Sequence, residues 1–237
     1  MSDYDKITAV HYAAYRPALH LPILQKYIGR KSYERGFDVG CGTGQSALAL
    51  THFCGEVWGL EPSFSMLERA TPHPQVQYRH YDGDRFPVTD DFFDLITFAG
   101  SWYYAKSQAV LDETVRVGRN KSLVLLYDFD LVIQPVLDRL LPKGQPMAPL
   151  DYNHQACFDG LDQSMVREEG RWQDEIRIGI PPTDLAHLLL SVKETYGALA
   201  QKYGEPELWQ TITHQIAQEA STSIVAHTYA TLYRIRK

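Results

Sequence analysis

Short apolar runs alternate with helix-like segments over the first half of the chain. The runs are rich in β-branched and aromatic residues, which is typical of buried strands. The segments between them carry apolar residues at helical spacing, so the alternation predicts a parallel sheet wrapped by helices. The predicted strands cover residues 37–39, 57–60, 76–78, 93–98 and 123–127, and the predicted helices cover residues 45–53, 63–70 and 108–117.

The pattern changes after residue 127. Residues 128–174 contain four prolines and no clear alternation of strand and helix, which predicts an irregular, partly helical excursion. A strand-like alternation at 176–180 ends at two prolines, and helical stretches follow at 183–203 and 206–219. The final strand, 224–235, is rich in β-branched and aromatic residues. We expect the last two strands to form an antiparallel edge on the sheet.

The letters F-D-V-G-C-G-T-G at residues 37–44 place three alternating glycines directly after the first strand and before a helix. Glycines allow a tight turn and a close approach of the backbone to a bulky polar ligand. Glu61 follows the second strand, about 20 positions after the loop, where a carboxylate can hold a ribose diol. The combination predicts an adenosine-containing cofactor. The dinucleotide fingerprint needs a third glycine at position 45, where this chain has Gln45.

Charge, cysteine content and the length of apolar runs limit the partners and the cellular compartment that we expect for this protein. The 237 residues carry a formal net charge of −6 and no dense run of Lys or Arg, so we do not expect nucleic acid as a partner. Three sparsely placed cysteines argue against a disulfide framework and favour a reducing compartment. No apolar run approaches membrane-spanning length, and the N-terminus has no signal-peptide pattern. We expect a cytoplasmic protein with no membrane partner; the oligomeric state stays open.

Several segments resemble one family in the right order. The D-x-G-x-G-x-G loop is similar to the first motif of class I S-adenosylmethionine-dependent methyltransferases. Y-A-A-Y-R-P at 12–17, Y-D-G-D-R-F-P at 81–87 and D-F-F-D-L-I-T at 91–97 resemble elements of the small-molecule branch, which includes trans-aconitate methyltransferase-like enzymes and methyltransferase type 11 domains. Residues 189–196 and 228–233 resemble the tail of that branch.

The resemblance implies a Rossmann-like α/β fold, doubly wound, with a mostly parallel seven-stranded sheet, an antiparallel C-terminal edge and a helical or irregular appendage. It implies a single methyltransferase domain over residues 1–237. Residues 1–34 would be a helical cover, 35–130 the cofactor-binding core, 131–175 the substrate-side appendage and 176–237 the last strands with their helices.

The implied cofactor is S-adenosylmethionine, with S-adenosylhomocysteine as product. Asp38 would brace the loop or bind the cofactor's ammonium group, Glu61 would bind the ribose, and Asp82 with the Gly83 amide would bind adenine. Amides at the helix N-terminus would face the cofactor's carboxylate. The full set of implied cofactor residues is Asp38, Gly40, Cys41, Gly42, Thr43, Gly44, Glu61, Pro62, Asp82, Gly83, Ala99 and Gly100.

The acceptor side carries weaker signals. Trp102, Tyr103 and Tyr104 follow the fourth strand and would either wall the acceptor pocket or pack in the core. Arg16, beside Tyr12 and Tyr15, is a candidate for binding a carboxylate. Tyr103, Tyr104 and Arg16 are the weak catalytic candidates. Relatives often have His in the stretch after the fourth strand, where this chain has tyrosine, so the resemblance assigns no general base. We expect no metal site, since His154 and Cys157 lack a partner pair of ligands.

Three functions stay open from the sequence. The preferred one is methyl transfer by direct displacement to a small molecule, with a carboxylate among the acceptors considered. The second is a nicotinamide-dependent oxidoreductase. The third is a protein that binds the adenosine cofactor without catalysis.

Overall fold

A computed structural model of the protein describes residues 3–29, 31–81, 85–141, 152–155, 157–218 and 223–237. The described helices are α1 Asp3–Ala14, α2 His20–Ile28, α3 Gln45–Leu50, α4 Phe64–Leu67, α5 Trp102–Ala105, α6 Gln108–Val117, α7 Gln134–Leu140, α8 Pro182–Leu190, α9 Lys193–Tyr203 and α10 Leu208–Ala217. The described strands are β1 Tyr33–Val39, β2 Cys54–Glu61, β3 Val76–His80, β4 Phe93–Ala99, β5 Gly118–Val132, β6 Val166–Gly179 and β7 Ser223–Ile235.

The seven strands form one sheet in the order β3-β2-β1-β4-β5-β7-β6. Pairings β1 with β2, β1 with β4, β2 with β3 and β4 with β5 are parallel, and the antiparallel strands form the edge of the sheet opposite β3. The predicted fold class is confirmed. Because the strand order reverses beside β1, the connections that leave the carboxyl ends of neighbouring β1 and β4 lead away in opposite directions. Open α/β sheets bind ligands at such a switch point.

The chain divides into two compact units. The sheet unit comprises Ala18–Phe129, Tyr152–Asp174 and Thr228–Lys237, and the helical unit comprises Met1–Pro17, Asp130–Asp151 and Glu175–His227. The predicted single domain with its four segments stays a prediction.

The sheet unit has an aromatic core. Phe37 of β1 stacks on Phe93 of β4 with ring centroids 4.4 Å apart, and Phe86 meets Phe37 edge-on at 5.5 Å. All three are almost completely buried. These contacts hold β1 and β4 in the register that places their carboxyl ends side by side.

The helical unit has its own apolar core, to which α7, α8, α9 and α10 contribute buried leucines and isoleucines. Helix α8 begins at Pro182, where the missing amide and the fixed φ of proline suit a first turn. None of the helices within the described ranges has the length and apolarity needed to span a bilayer.

Most predicted elements are observed with shifted ends, and two predictions were wrong. The stretch 183–203 is two helices, which are separated at Ser191 and Val192. The irregular excursion contains the first nine residues of β6, Val166 to Asp174. That part of β6 belongs to an edge strand whose side chains are mostly exposed and charged, so it lacks the alternation by which a half-buried strand is recognised.

Candidate functional site

The glycine loop follows β1 and turns through three residues with positive φ: Gly40 at 73°, Gly42 at 55° and Gly44 at 89°. Two of the three have no room for a side chain. A Cβ on Gly40 would lie 2.4 Å from the Ser101 Cβ, and a Cβ on Gly44 would lie 2.2 Å from the Tyr78 hydroxyl. Glycine is therefore required there by both conformation and packing.

Gly42 differs from its neighbours because no heavy atom lies within 4 Å of the position its Cβ would take. The loop presents bare backbone to open space at this residue. Cys41 is buried and its amide donates to the Leu60 carbonyl at 3.0 Å, while the Thr43 carbonyl accepts from the Thr71 amide at 3.3 Å. The flanking residues thus fix the loop and leave Gly42 as its open point.

Glu61 ends β2 beside this loop, because β1 and β2 run parallel with Val39 opposite Leu60. Its carboxylate is 8% exposed; Oε2 accepts from the Gly42 amide at 3.0 Å and Oε1 accepts from the Ser63 amide at 2.9 Å. A carboxylate offers about four lone-pair sites, so each oxygen can still accept from a hydroxyl. This arrangement fits an adenosyl group: the bare backbone at Gly42 leaves room for a bulky ligand, and the Glu61 carboxylate at the end of β2 can accept from a ribose diol.

Asp38 is completely buried, and its two oxygens accept from Ser46 at 2.5 Å and from Thr97 at 2.9 Å. Burial raises the pKa of this carboxyl to about 6; the two hydroxyl bonds oppose that shift, and the nearby Glu61 adds to it. The carboxylate joins β1, α3 and β4 below the loop. Asp38 therefore makes contacts that can brace the glycine loop, which is one of its two expected roles. The other role, binding of the cofactor's ammonium group, stays a prediction.

The remaining cofactor candidates lie at two strand ends. The Pro62 carbonyl accepts from His80 Nε2 at 2.9 Å, directly after Glu61. Ala99 ends β4, and Gly100 follows it with φ 71°, its Cβ position 3.2 Å from an Asp128 oxygen. Asp82 and Gly83 lie outside the described residues, so their adenine role stays a prediction.

The three aromatic residues after β4 occupy different environments. Trp102 is 2% exposed, donates from Nε1 to the Cys157 carbonyl at 2.9 Å and packs edge-on against Phe98 and Phe158. Tyr103 is 38% exposed and Tyr104 is 79% exposed. Trp102 is a core residue that also touches a small cavity, whereas Tyr104 offers no shielding from water.

Asp128 and its neighbours form a polar cluster that the sequence interpretation missed. The Asp128 Oδ2 lies 3.0 Å from His154 Nδ1 and 2.9 Å from the Tyr152 hydroxyl, which also lies 2.7 Å from the Gly100 carbonyl oxygen. Asp128 directly follows the fifth strand as predicted from the sequence. Because ligands bind near the carboxyl ends of strands in open α/β sheets, this position could have marked Asp128 as a candidate site residue. Tyr152 and His154 come from the irregular excursion, where periodicity gives no signal.

Tyr12, Tyr15 and Arg16 belong to the helical unit. The Arg16 guanidinium carbon lies 3.3 Å from the centroid of the Tyr12 ring, and Tyr15 packs against the helical core. Burial lowers the pKa of Arg16, and its buried Nε has no hydrogen-bond partner among the described residues. A stacked, poorly solvated guanidinium suits an anion, but substrate binding by these three residues stays a prediction.

Comparison with known proteins agrees with this geometry. Residues 37–126 match the family model of a methyltransferase domain. The uncharacterized methyltransferase YcgJ of Bacillus subtilis (strain 168) is 27% identical over 118 residues, which is 47% of this chain and 47% of that protein. The demethylmenaquinone methyltransferase of Lysinibacillus sphaericus (strain C3-41) is 34% identical over 79 residues, 30% of this chain and 34% of the relative. The chain spans between about a third and a half of the length of the curated relatives it matches.

The fold also has solved counterparts. The structure of a candidate type II methyltransferase from Anaeromyxobacter dehalogenans has a TM-score of 0.62, with 18% identity over 94% of this chain and 98% of that chain. At this identity the likeness shows the fold alone.

Proposed function

We propose that this chain, which belongs to the class I S-adenosylmethionine-dependent methyltransferases, binds S-adenosylmethionine at its glycine loop and transfers the methyl group to a small-molecule acceptor. The observation that carries the proposal is the pairing of the bare backbone at Gly42 with the strand-end carboxylate of Glu61, 3.0 Å apart. Glu61 would bind the ribose, and the loop from Gly40 to Gly44 would hold the methionyl part. S-adenosylhomocysteine is the expected product.

When bound, S-adenosylmethionine supplies a methyl group that its sulfonium already activates. The chain then has to hold the acceptor atom in line with the methyl group, roughly 3 to 3.5 Å away, in a site that excludes water. Positioning of this kind accounts for about 7 to 11 kcal/mol of barrier lowering, so no covalent enzyme intermediate is required.

A nicotinamide-dependent oxidoreductase is the less favoured function. Gln45 stands where the dinucleotide fingerprint requires glycine, and the loop matches a methyltransferase domain model.

A carboxylate acceptor is retained as a prediction that depends on Arg16. Net charge and the absence of a Lys/Arg run support a small acceptor over nucleic acid, and the three buried free cysteines support a cytoplasmic location.

Transfer of labelled methyl from S-adenosylmethionine into a cellular metabolite extract tests the proposal. We expect label in low-mass products, and none when the protein is left out. Label in protein or nucleic acid fractions alone would overturn the small-molecule acceptor. Cofactor binding with no labelled product across several extracts would favour the non-catalytic cofactor-binding protein.

A further inference from the structure

The Asp128 carboxylate is held in place within β5, which continues to Val132 beyond the end predicted from the sequence. Its Oδ1 accepts from the Phe129 amide at 2.7 Å, and its Oδ2 lies 3.0 Å from His154 Nδ1. When Nδ1–H donates to a carboxylate, Nε2 of the neutral imidazole is the nitrogen that accepts a proton. A carboxylate in this position also stabilises the imidazolium once the proton has been accepted.

Tyr152 ties this pair to the proposed methyl donor. Its hydroxyl has two acceptors within reach, the Asp128 carboxylate at 2.9 Å and the carbonyl of Gly100 at 2.7 Å, and Gly100 is a predicted cofactor contact. Burial, followed by the charge of Asp128, raises the pKa of Tyr152. Tyr152 therefore keeps its proton and acts as a hydrogen-bond donor that positions the cluster. Because Asp128 is already engaged as an acceptor, we take Nε2 of His154 as the site of proton uptake.

His154 lines two cavities of the sheet unit. One has a volume of about 10 Å³ beside Gly100 and Tyr103, and the other has a volume of about 160 Å³ beside Trp172 and Tyr229. The two cavities share Leu126 and His154 in their walls. A cavity of about 150 Å³ holds one benzene molecule, so the larger cavity has the size of a single aromatic ring.

The larger cavity has aromatic walls and also polar ones, from Gln155, Gln173 and Thr231, so it suits a flat, neutral ligand that carries a polar group. The Tyr229 ring is stacked on His154 with an interplanar angle of 14°, and Trp172 adds a second aromatic wall. The guanidinium that lines the cavity, on Arg171, is already bound to both oxygens of Asp159 at 2.9 Å and to Glu168 at 2.8 Å. Its charge is therefore balanced within the protein, and an anionic acceptor gains little from it.

We propose that His154 is the general base of methyl transfer, that Asp128 positions it, and that the acceptor is a phenol-type hydroxyl on a single aromatic ring. This inference rests on the proposed methyl transfer and favours a phenol over the carboxylate among the acceptors. The hydroxyl proton of the acceptor passes to Nε2 of His154, and an oxygen lone pair forms the new bond to the methyl carbon. The carbon–sulfur bond breaks with its electron pair left on sulfur, so one positive charge on sulfonium becomes one on imidazolium. The imidazolium then releases its proton to water.

The first test measures proton uptake without methyl transfer. 4-Nitrophenol is titrated into the protein in the presence of S-adenosylhomocysteine, and its phenolate absorbance is followed with pH for wild type, His154→Gln, Asp128→Asn and the exposed control His52→Gln. The titratable or charged groups that line the two cavities together with His154 are Tyr103, Tyr127, Asp128, Tyr152, Arg171 and Tyr229. We expect the bound probe to ionise at lower pH in wild type and His52→Gln than in the other two variants. Equal profiles in all four proteins would overturn the proposal.

The second test measures transfer to phenols of different acidity. General-base catalysis contributes about 10²- to 10⁴-fold, so His154→Gln should lose that factor in kcat with ordinary phenols and recover most of it with 4-nitrophenol, which ionises in water near neutral pH. Binding of S-adenosylhomocysteine should stay within about twofold of wild type, since His154 does not contribute to the glycine loop. Wild-type kcat in His154→Gln with every phenol, or transfer to benzoates and never to phenols, would overturn the proposal.

The two tests separate failure of this inference from failure of the proposed function. If S-adenosylhomocysteine does not bind, the proposed function fails, and the nitrophenol profile measured without it still reports on His154. If His154→Gln does not fold, Asp128→Asn supplies the same comparison. In Asp128→Asn the His154 ring signals in the NMR spectrum should titrate at lower pH than in wild type, because the His154 imidazolium no longer has the Asp128 carboxylate beside it. Unchanged titration would contradict the positioning role of Asp128.

Discussion

The carboxylate of Glu61 and the amide of Gly42 are joined by a hydrogen bond of 3.0 Å. Parallel pairing of β1 with β2 brings them together, although 19 positions separate them in the chain. The bond links Glu61, at the end of β2, to Gly42, the open point of the glycine loop that follows β1. A ribose that binds Glu61 is therefore placed directly beside backbone that no side chain covers, and this arrangement is the basis of the proposed cofactor site.

Gly44→Ala should destabilise the protein more than Gly42→Ala. Both residues have positive φ, which costs about 1–2 kcal/mol for an L-residue. At Gly44 the new methyl group would also overlap the Tyr78 hydroxyl, whereas at Gly42 it would meet open space. We expect an additional loss of about 1–3 kcal/mol for Gly44→Ala from overpacking, measured by urea unfolding. Equal losses in the two variants would show that the Tyr78 contact is not rigid.

The buried Asp38 should make the protein less stable as the pH rises from about 4 to about 6. Its pKa is raised to about 6 in the folded state, so over this window the folded protein holds a proton that the unfolded chain has released. The unfolding free energy of Asp38→Asn relative to wild type should therefore increase with pH across the window, by at most about 3 kcal/mol. Asp112→Asn, at an exposed aspartate, is the matched control and should show no such slope.

His20 should produce the opposite slope in an overlapping window. Burial lowers its pKa to about 4, while its Nδ1 lies 3.0 Å from the Tyr127 hydroxyl. Between about pH 6.5 and 4 the unfolded chain binds a proton that folded His20 does not, so stability falls as the pH falls. His20→Asn, which can keep the bond to Tyr127, should be less sensitive to acid than wild type in thermal unfolding. An unchanged pH profile would show that His20 charges in the folded state, and His52→Asn should leave the profile as it is in wild type.

Trp102→Phe should reduce stability, because the buried Cys157 carbonyl loses the donor at 2.9 Å. Removing one partner of a buried hydrogen bond costs about 1–3 kcal/mol. Tyr104→Phe removes a hydroxyl from a side chain that is 79% exposed and should change the unfolding free energy by less than about 0.5 kcal/mol. Similar values for the two variants in urea unfolding would contradict the assignment of Trp102 to the core.

The sequence predicted the parts of this protein that local chemistry determines. Strand β1, the glycine loop and Glu61 could be found because apolar runs, positive-φ glycines and strand-end acids each leave a local pattern. Helix α6 was predicted with its observed bounds from its helical pattern, and the structure shows that Ser107 caps it. These signals are independent of the rest of the fold.

The acceptor side could not be predicted in the same way. Asp128, Tyr152 and His154 come together only through tertiary contacts, and all three lie in the segment 128–174, where the sequence shows no periodicity. Trp102 could equally have faced a pocket or the core, because an aromatic residue after a strand fits both until its neighbours are known. Strand β6 was missed in part because its exposed edge carries charges instead of an apolar alternation.

Calorimetric titration of the cofactor site tests the central claim most directly. Wild type, Glu61→Ala and the exposed-acid control Glu68→Ala are each titrated with S-adenosylmethionine, S-adenosylhomocysteine and NAD. Glu61 would form two charge-assisted bonds to the ribose, each worth about 1.5–3 kcal/mol, so removal should weaken binding by at least about tenfold. We predict that both adenosyl ligands bind to wild type and to Glu68→Ala with equal affinity, and at least tenfold more weakly to Glu61→Ala. Binding of NAD alone, or full affinity in Glu61→Ala, would contradict the account.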